Sequence, residues 1–225
     1  MNGELKGIFP HVLFCIGPLG IRDTVVITWL ILVFVACAAK FTSKRLKLYP
    51  NHWQEAMEIA VVSIDDLLHD MIGPGSKRYI PLIGTLAVYI LFANMAEIIP
   101  GLKAPTRDIN TTAALAIIVF FSVHYYGVRA MGLVGYVREL AKPVFIFFFL
   151  NILAHLTRTV SLAMRLFGNM LSGGFLVAVL ALLAPLLVPV PILLFEMFIG
   201  IVQAYIFVIL AIAYIGGGVR PGEGA

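Results

Sequence analysis

Ser161-Leu-Ala-Met-Arg165-Leu-Phe-Gly-Asn169-Met170 lies inside an apolar stretch, Pro143 to Leu183, that contains no proline after its first residue. A guanidinium at membrane depth costs a few kcal/mol on insertion scales and ~10 or more in some simulations, so it marks a functional position. Arginine also stays charged at any physiological pH. The chain must supply a negative partner for Arg165 or borrow one. The stretch itself is too long for a single upright helix. About 40 helical residues span ~60 Å, twice the ~30 Å hydrocarbon thickness. It must be strongly tilted, bent or split, and Gly168, Gly173 and Gly174 are possible bends.

Composition agrees. The 225 residues are 61% hydrophobic and 12% charged, with mean hydropathy +1.00. A soluble domain is nearer half apolar and a quarter charged. The chain reads as one all-α integral membrane domain, residues 1–225. Its net charge of +4 does not indicate nucleic acid, because the basic residues cluster beside apolar segments as topology determinants do. Cys15 and Cys37 are the only cysteines and suggest neither a disulfide framework nor a metal site. No cofactor motif is present, and no phosphate-cradling loop. The N-terminus lacks a cleavable-signal pattern and is expected to be retained.

About five membrane-embedded helices are expected. The first covers 24–40, followed by Lys44, Arg45 and Lys47. An amphipathic surface helix follows at 51–72. There Trp53, Met57, Ala60, Val61, Ile64, Leu68 and Met71 recur at helical spacing, and Glu55, Glu58, Asp65, Asp66 and Asp70 take other faces. Gly73-Pro74-Gly75 breaks it. Spans at 80–99 and 109–127 come next, then Arg129, Arg138 and Lys142. The last two helices, 143–183 and 189–216, are long and strongly tilted, with a turn at Pro185, Pro189 and Pro191 between them. The positive-inside rule places the N-terminus outside and the C-terminus, with Arg220, in the cytoplasm.

Asn151, Arg158, Ser161 and Asn169 fall within about 40° of Arg165 around the long helix, and His155 lies about 80° away. One narrow polar stripe thus runs along an apolar helix. The last helix has its own sparse stripe, Glu196, Gly200, Gln203, Phe207 and Tyr214. A permanent cation facing a carboxyl and an amide suggests an ion path. Arg165 and Glu196 could also form a static strut. Gln203 taken alone reads as a hydrogen-bonding bridge between helices, and Glu97 and Asp108 taken alone read as caps of span ends.

These residues resemble subunit a of F-type ATP synthases, the ATPase 6 family. The stretch Ser161 to Met170 resembles the family signature. Gln203-Ala-Tyr-Ile-Phe207 resembles its last-helix motif. Asn94-Met-Ala-Glu97-Ile-Ile-Pro100 and Pro105-Thr-Arg-Asp108-Ile-Asn110-Thr-Thr112 resemble the end of the second span and the loop beyond it. The resemblance implies a stator subunit of the membrane sector, packed against the ring of c subunits. It also implies peripheral-stalk b subunits and the rest of the complex as partners, in a bacterial plasma membrane. Arg165 would face the ring's carboxylates. Asn169, Glu196 and Gln203 would line the ion path, and Asn94, Glu97, Asp108 and Asn110 would stand near its outer entrance. The family usually has Glu at Asn151, Pro at Thr159, and Glu or His at or just before Gly174. His155 could compensate for Asn151. A sodium-coupled version, a self-contained channel or secondary transporter using Arg165 and Glu196, and a non-transporting scaffold stay open.

Overall fold

Helix α6, Pro189–Val219, holds the fold together. One side carries Phe207, Val208, Ala211, Ile212 and Ile215 into the core. The partners are Tyr79, Ile83, Leu86 and Ile90 of the second span and Leu162 and Leu166 of the long helix. The computed structural model describes residues 12–16, 19–44, 52–99, 102–140, 146–183 and 189–219. Arg45, Lys47, Asn51, Pro100, Lys142, Pro143, Pro185 and Arg220 lie outside them.

The order of elements is a hairpin, β1 (Val12–Ile16) with β2 (Leu19–Arg22), then α1 (Asp23–Lys44), α2 (His52–Ile72), α3 (Ile80–Met95), α4 (Ile109–Leu140), α5 (Ile146–Leu183) and α6. Short 3-10 turns precede α3 at Ser76–Tyr79, follow it at Ala96–Ile98, and precede α4 at Pro105–Arg107. The fold is all-α apart from the hairpin, which the sequence reading did not anticipate. Helices α1, α4, α5 and α6, together with α3 and its leading turn, are long and apolar enough to cross a membrane. The 38 residues of α5 are ~57 Å long, which an upright helix cannot fit into a bilayer.

Some expected boundaries move. The span expected at 109–127 extends to Leu140, with one non-helical residue at Gly132 (φ 75°, ψ 161°). Only glycine takes such a backbone conformation freely. The kink carries Tyr136 back onto Gly127, where an added Cβ would meet the tyrosine ring and lie 2.9 Å from the Gly218 carbonyl. α4 therefore touches its own end and α6 at one point. The glycines of α5 do not split it: the helix runs unbroken from Ile146 to Leu183.

α2 covers the protein's own surface, but only with its C-terminal half. Leu68 and Ile72 are buried there and Ile64 and Leu67 partly so. Met57, Val61 and Met71, expected on the inner stripe, are exposed. Gly216 of α6 explains the rotation, because it leaves room for Ile72. α1 is peripheral. Trp29, Leu30, Val33 and Phe34 are exposed, and the Thr28 and Tyr89 hydroxyls join it to α3 at 3.2 Å.

Overpacking a tight contact typically costs ~1–3 kcal/mol. Gly127→Leu should therefore lower the thermal stability of the purified protein by about that much. Gly84→Ala, inside α3 with a Cβ that would meet nothing within 4 Å, should not lower it and should raise it slightly. Equal stability in the two variants would contradict the packing described.

Candidate ion-translocation site

The polar stripe of α5 faces outward. Arg158, Ser161, Arg165 and Asn169 are exposed, whereas Leu162, Leu166 and Met170, about 60–140° round the helix from Arg165, are buried at 1%, 0% and 1% exposure. The rest of the outward surface is apolar: Leu156, Val160 and Met164, further round α5 from the buried arc, and Phe198, Val202 and Tyr205 on α6 are exposed. Among the described residues, Arg165 has no hydrogen bond or ion pair. The Arg165–Glu196 strut is not formed. Glu196 is 7% exposed and fills the space beside Gly173 of α5. The amide pair is formed: Asn169 Nδ2 donates to Gln203 Oε1 at 2.7 Å. Gln203 is buried and bridges α6 to the stripe.

A second group of residues gathers where α3, α5 and α6 meet. Asn94 Nδ2 donates to the Gly200 carbonyl at 2.9 Å, and Thr106 Oγ1 donates to Asn94 Oδ1 at 2.8 Å. Asn94 is thus a fully engaged structural bridge. Beside it, Arg107 donates to Glu97 Oε1 at 2.8 Å. Burial is the main reason that the Glu97 carboxyl is pushed up to about 7. Arg107 opposes that shift and the charge of Glu196 adds to it. Glu97 Oε2, Arg107 Nε and both Glu196 oxygens are buried without a hydrogen-bond partner among the described residues. Such groups are expensive unless water or protons serve them.

Asp108 and Asn110 belong to a different network. The Asp108 carboxylate accepts from Arg22 with both oxygens at 3.1 Å, and from Thr24 Oγ1 at 3.0 Å. It also accepts from the Asn110 amide N–H and side chain, each at 3.0 Å. It caps α4 and clasps it to the start of α1, with Lys103 and Asp23 3.5 Å apart nearby. Burial raises the Asp108 pKa, but these hydrogen bonds and Arg22 outweigh it and hold the group below its ordinary value.

At the other end of α5, Asn151 Nδ2 donates to the Leu140 carbonyl at 2.9 Å. His155 packs against His124 of α4, ring centres 5.5 Å apart. Asn151 and His155 line a cavity of about 280 Å³ with Tyr136 and Glu139. The Arg158 guanidinium lies 5.9 Å from the Tyr214 ring centre.

The model of the family described as ATP synthase A chain matches residues 24–216. The chain belongs to that family. It is 45% identical to ATP synthase subunit a 2 of Bradyrhizobium sp. over 92% of this chain and 93% of the relative. It is 41% identical to ATP synthase subunit a 1 of Hahella chejuensis over 95% and 91%. With ATP synthase subunit a of Moorella thermoacetica it shares 38% identity over 92% and 94%. Within the family, the departures noted in the sequence have structural answers. Thr159 returns its hydroxyl to the His155 carbonyl at 2.9 Å. The space beside Gly174 is filled by Arg107, a residue that the sequence reading quoted in a motif but gave no role. The adjacent Gly173-Gly174 pair was the available signal: two missing side chains leave room for two incoming ones. Tyr136 and Glu139 were missed because only the continuation of α4 past residue 127 brings them to the cavity beside His155; His124 lies inside the expected span, and its contact with His155 depends on how α4 packs against α5.

The Asp108 clasp generates a pH-dependent stability. Its folded-state pKa is depressed, so its contribution is fully present above the ordinary value of 3.8 and is lost as pH falls below that. Asp108→Asn should lower thermal stability at neutral pH by ~1–3 kcal/mol. In acid, near pH ~3, the deficit should shrink. A deficit that does not change with pH would contradict the role of the charge.

Proposed function

We propose that this chain is the stator subunit of the membrane sector of a bacterial F-type ATP synthase. Its exposed α5 stripe faces the ring of c subunits, and it provides two proton half-channels that couple proton flow to rotation and ATP synthesis. The observation that carries this is Arg165: exposed on an apolar surface, permanently charged, and without a carboxylate partner among the described residues. In the bare membrane such a surface is unfavourable. Against a ring that presents carboxyls, it is completed.

The mechanism follows from desolvation and charge. A ring carboxyl facing lipid is neutral, because removal from water raises its pKa. Beside Arg165 the cation lowers that pKa and the proton leaves. The carboxylate cannot re-enter lipid charged, so it takes up a proton before moving on. Asn169, hydrogen-bonded to buried Gln203, keeps a polar group next to Arg165. The Glu97–Arg107–Glu196 cluster suits the outer half-channel, with the N-terminus outside. The cavity at Asn151 and His155 suits the cytoplasmic one. Arg165 between them repels cations and prevents a direct leak. The membrane potential supplies ~2.3 kcal/mol per charge per 100 mV. A self-contained transporter or a scaffold would leave Arg165 with no counter-charge.

ATP-driven acidification of inverted membrane vesicles tests this reading. With the complex assembled, Arg165→Ala should reduce acidification to the level seen with an uncoupler. Normal pumping by that variant would refute the proposal.

A further inference from the structure

We infer that Arg107 is a positioning residue of the outer ion path: seated in the space left by Gly174, it holds Glu97 and Glu196 as a pair that shares one exchangeable proton. The inference rests on the stator reading and assigns a role to a side chain outside the α5 stripe.

The geometry is a packed cluster from four elements. The turn at Ala96–Ile98 brings Glu97, the turn at Pro105–Arg107 brings Arg107, α6 brings Glu196, and α5 brings Gly173 and Gly174. A Cβ on Gly173 would overlap the Glu196 carboxyl, and one on Gly174 would overlap the Arg107 guanidinium. Both polar groups are thus pressed against bare α5 backbone. Arg107 and Glu97 are 11% and 10% exposed and 2.8 Å apart. Arg107 also acts electrostatically on Glu196. The nearest other polar groups are committed: Asn94 to Gly200 and Thr106, and Asp108 to Arg22 and Thr24.

Charge balance follows. With both carboxyls ionised the cluster carries one net negative charge. With one proton bound it is neutral, and a buried site favours neutrality. A proton taken from outer water neutralises one carboxylate, and release of that proton toward the ring restores the charge. Without Arg107 the ionised cluster would carry two negative charges, and the pair would hold its proton to higher pH. A fixed cation on the 105–107 turn thus takes the place of a titratable side chain on α5.

ATP synthesis by the reconstituted complex in liposomes tests this, with the membrane potential fixed and pH varied on the proton-entry side. The rate falls as that pH rises through the range where the pair loses its proton. Arg107→Gln should move this fall to higher pH by about 1–3 units, the effect of removing a neighbouring cation. Gly174→Ala, which displaces the guanidinium, should move it the same way, and Arg107→Lys should keep the wild-type profile. An unmoved fall in Arg107→Gln overturns the inference. Should that variant not assemble, Arg107→Lys decides: a wild-type profile supports the inference, and a shifted or lost one overturns it. Arg165→Ala in the same liposomes separates the two claims. If it still makes ATP, the stator reading fails. If it does not, and Arg107→Gln has the wild-type profile, only the role of Arg107 fails.

Discussion

Arg165 is a permanent charge that has no ion pair or hydrogen bond among the described residues. Several other charged groups have an answer inside the fold, although both buried Glu196 oxygens lack a hydrogen-bond partner among the described residues. Glu97 has Arg107, Asp108 has Arg22, and Arg158 lies against an aromatic ring. Arg165 has no such partner among the described residues and faces outward on an apolar surface. An incomplete electrostatic site of this kind makes sense for a subunit whose partner moves. A permanent internal partner would satisfy the guanidinium and remove its hold on a passing carboxylate.

The packing serves that exposure. α5 can present a bare face only because its other face is anchored by Leu162, Leu166 and Met170. The anchoring is close because glycine stands where backbones or polar groups must meet. Gly200 of α6 admits Asn94 of α3, Gly218 of α6 meets Val123 of α4, and Gly173 admits Glu196. Small residues at helix contacts take the place of the hydrophobic driving force that lipid abolishes. At Gly173 and Gly174 the same device brings charge inward rather than helices together.

Much of this is legible in the sequence. The five spans followed from the spacing of apolar runs, and the α5 stripe followed from helical periodicity alone. That the stripe points away from the core also agrees with its polarity. The Gln203 bridge was foreseeable because a lone amide in an apolar helix needs a partner. Other features depended on tertiary context. The extension of α4 to Leu140 carries the helix past Arg129, where the sequence suggested an end, and across one positive-φ glycine, Gly132. The rotation of α2 rests on room at Gly216 of α6. The hairpin before α1 lacks a long alternating pattern. Arg107 sits in a polar loop where an arginine needs no explanation, and only the empty space at Gly174 gives it a role. Asp108 lies in a family-like motif, but its bonds to Arg22 and Thr24 make it a clasp.

The central claim is that the exposed face of α5 is the rotor face. Cysteine cross-linking in the assembled complex tests it most directly, in a background lacking Cys15 and Cys37. One cysteine is placed on the ring helix beside its carboxyl, and the other at Ser161, which is exposed, or Leu162, its buried neighbour about 100° round α5. The account predicts that Ser161→Cys forms the cross-link and that Leu162→Cys, 1% exposed in the subunit, does not. A cross-link at Leu162 with none at Ser161 would contradict it.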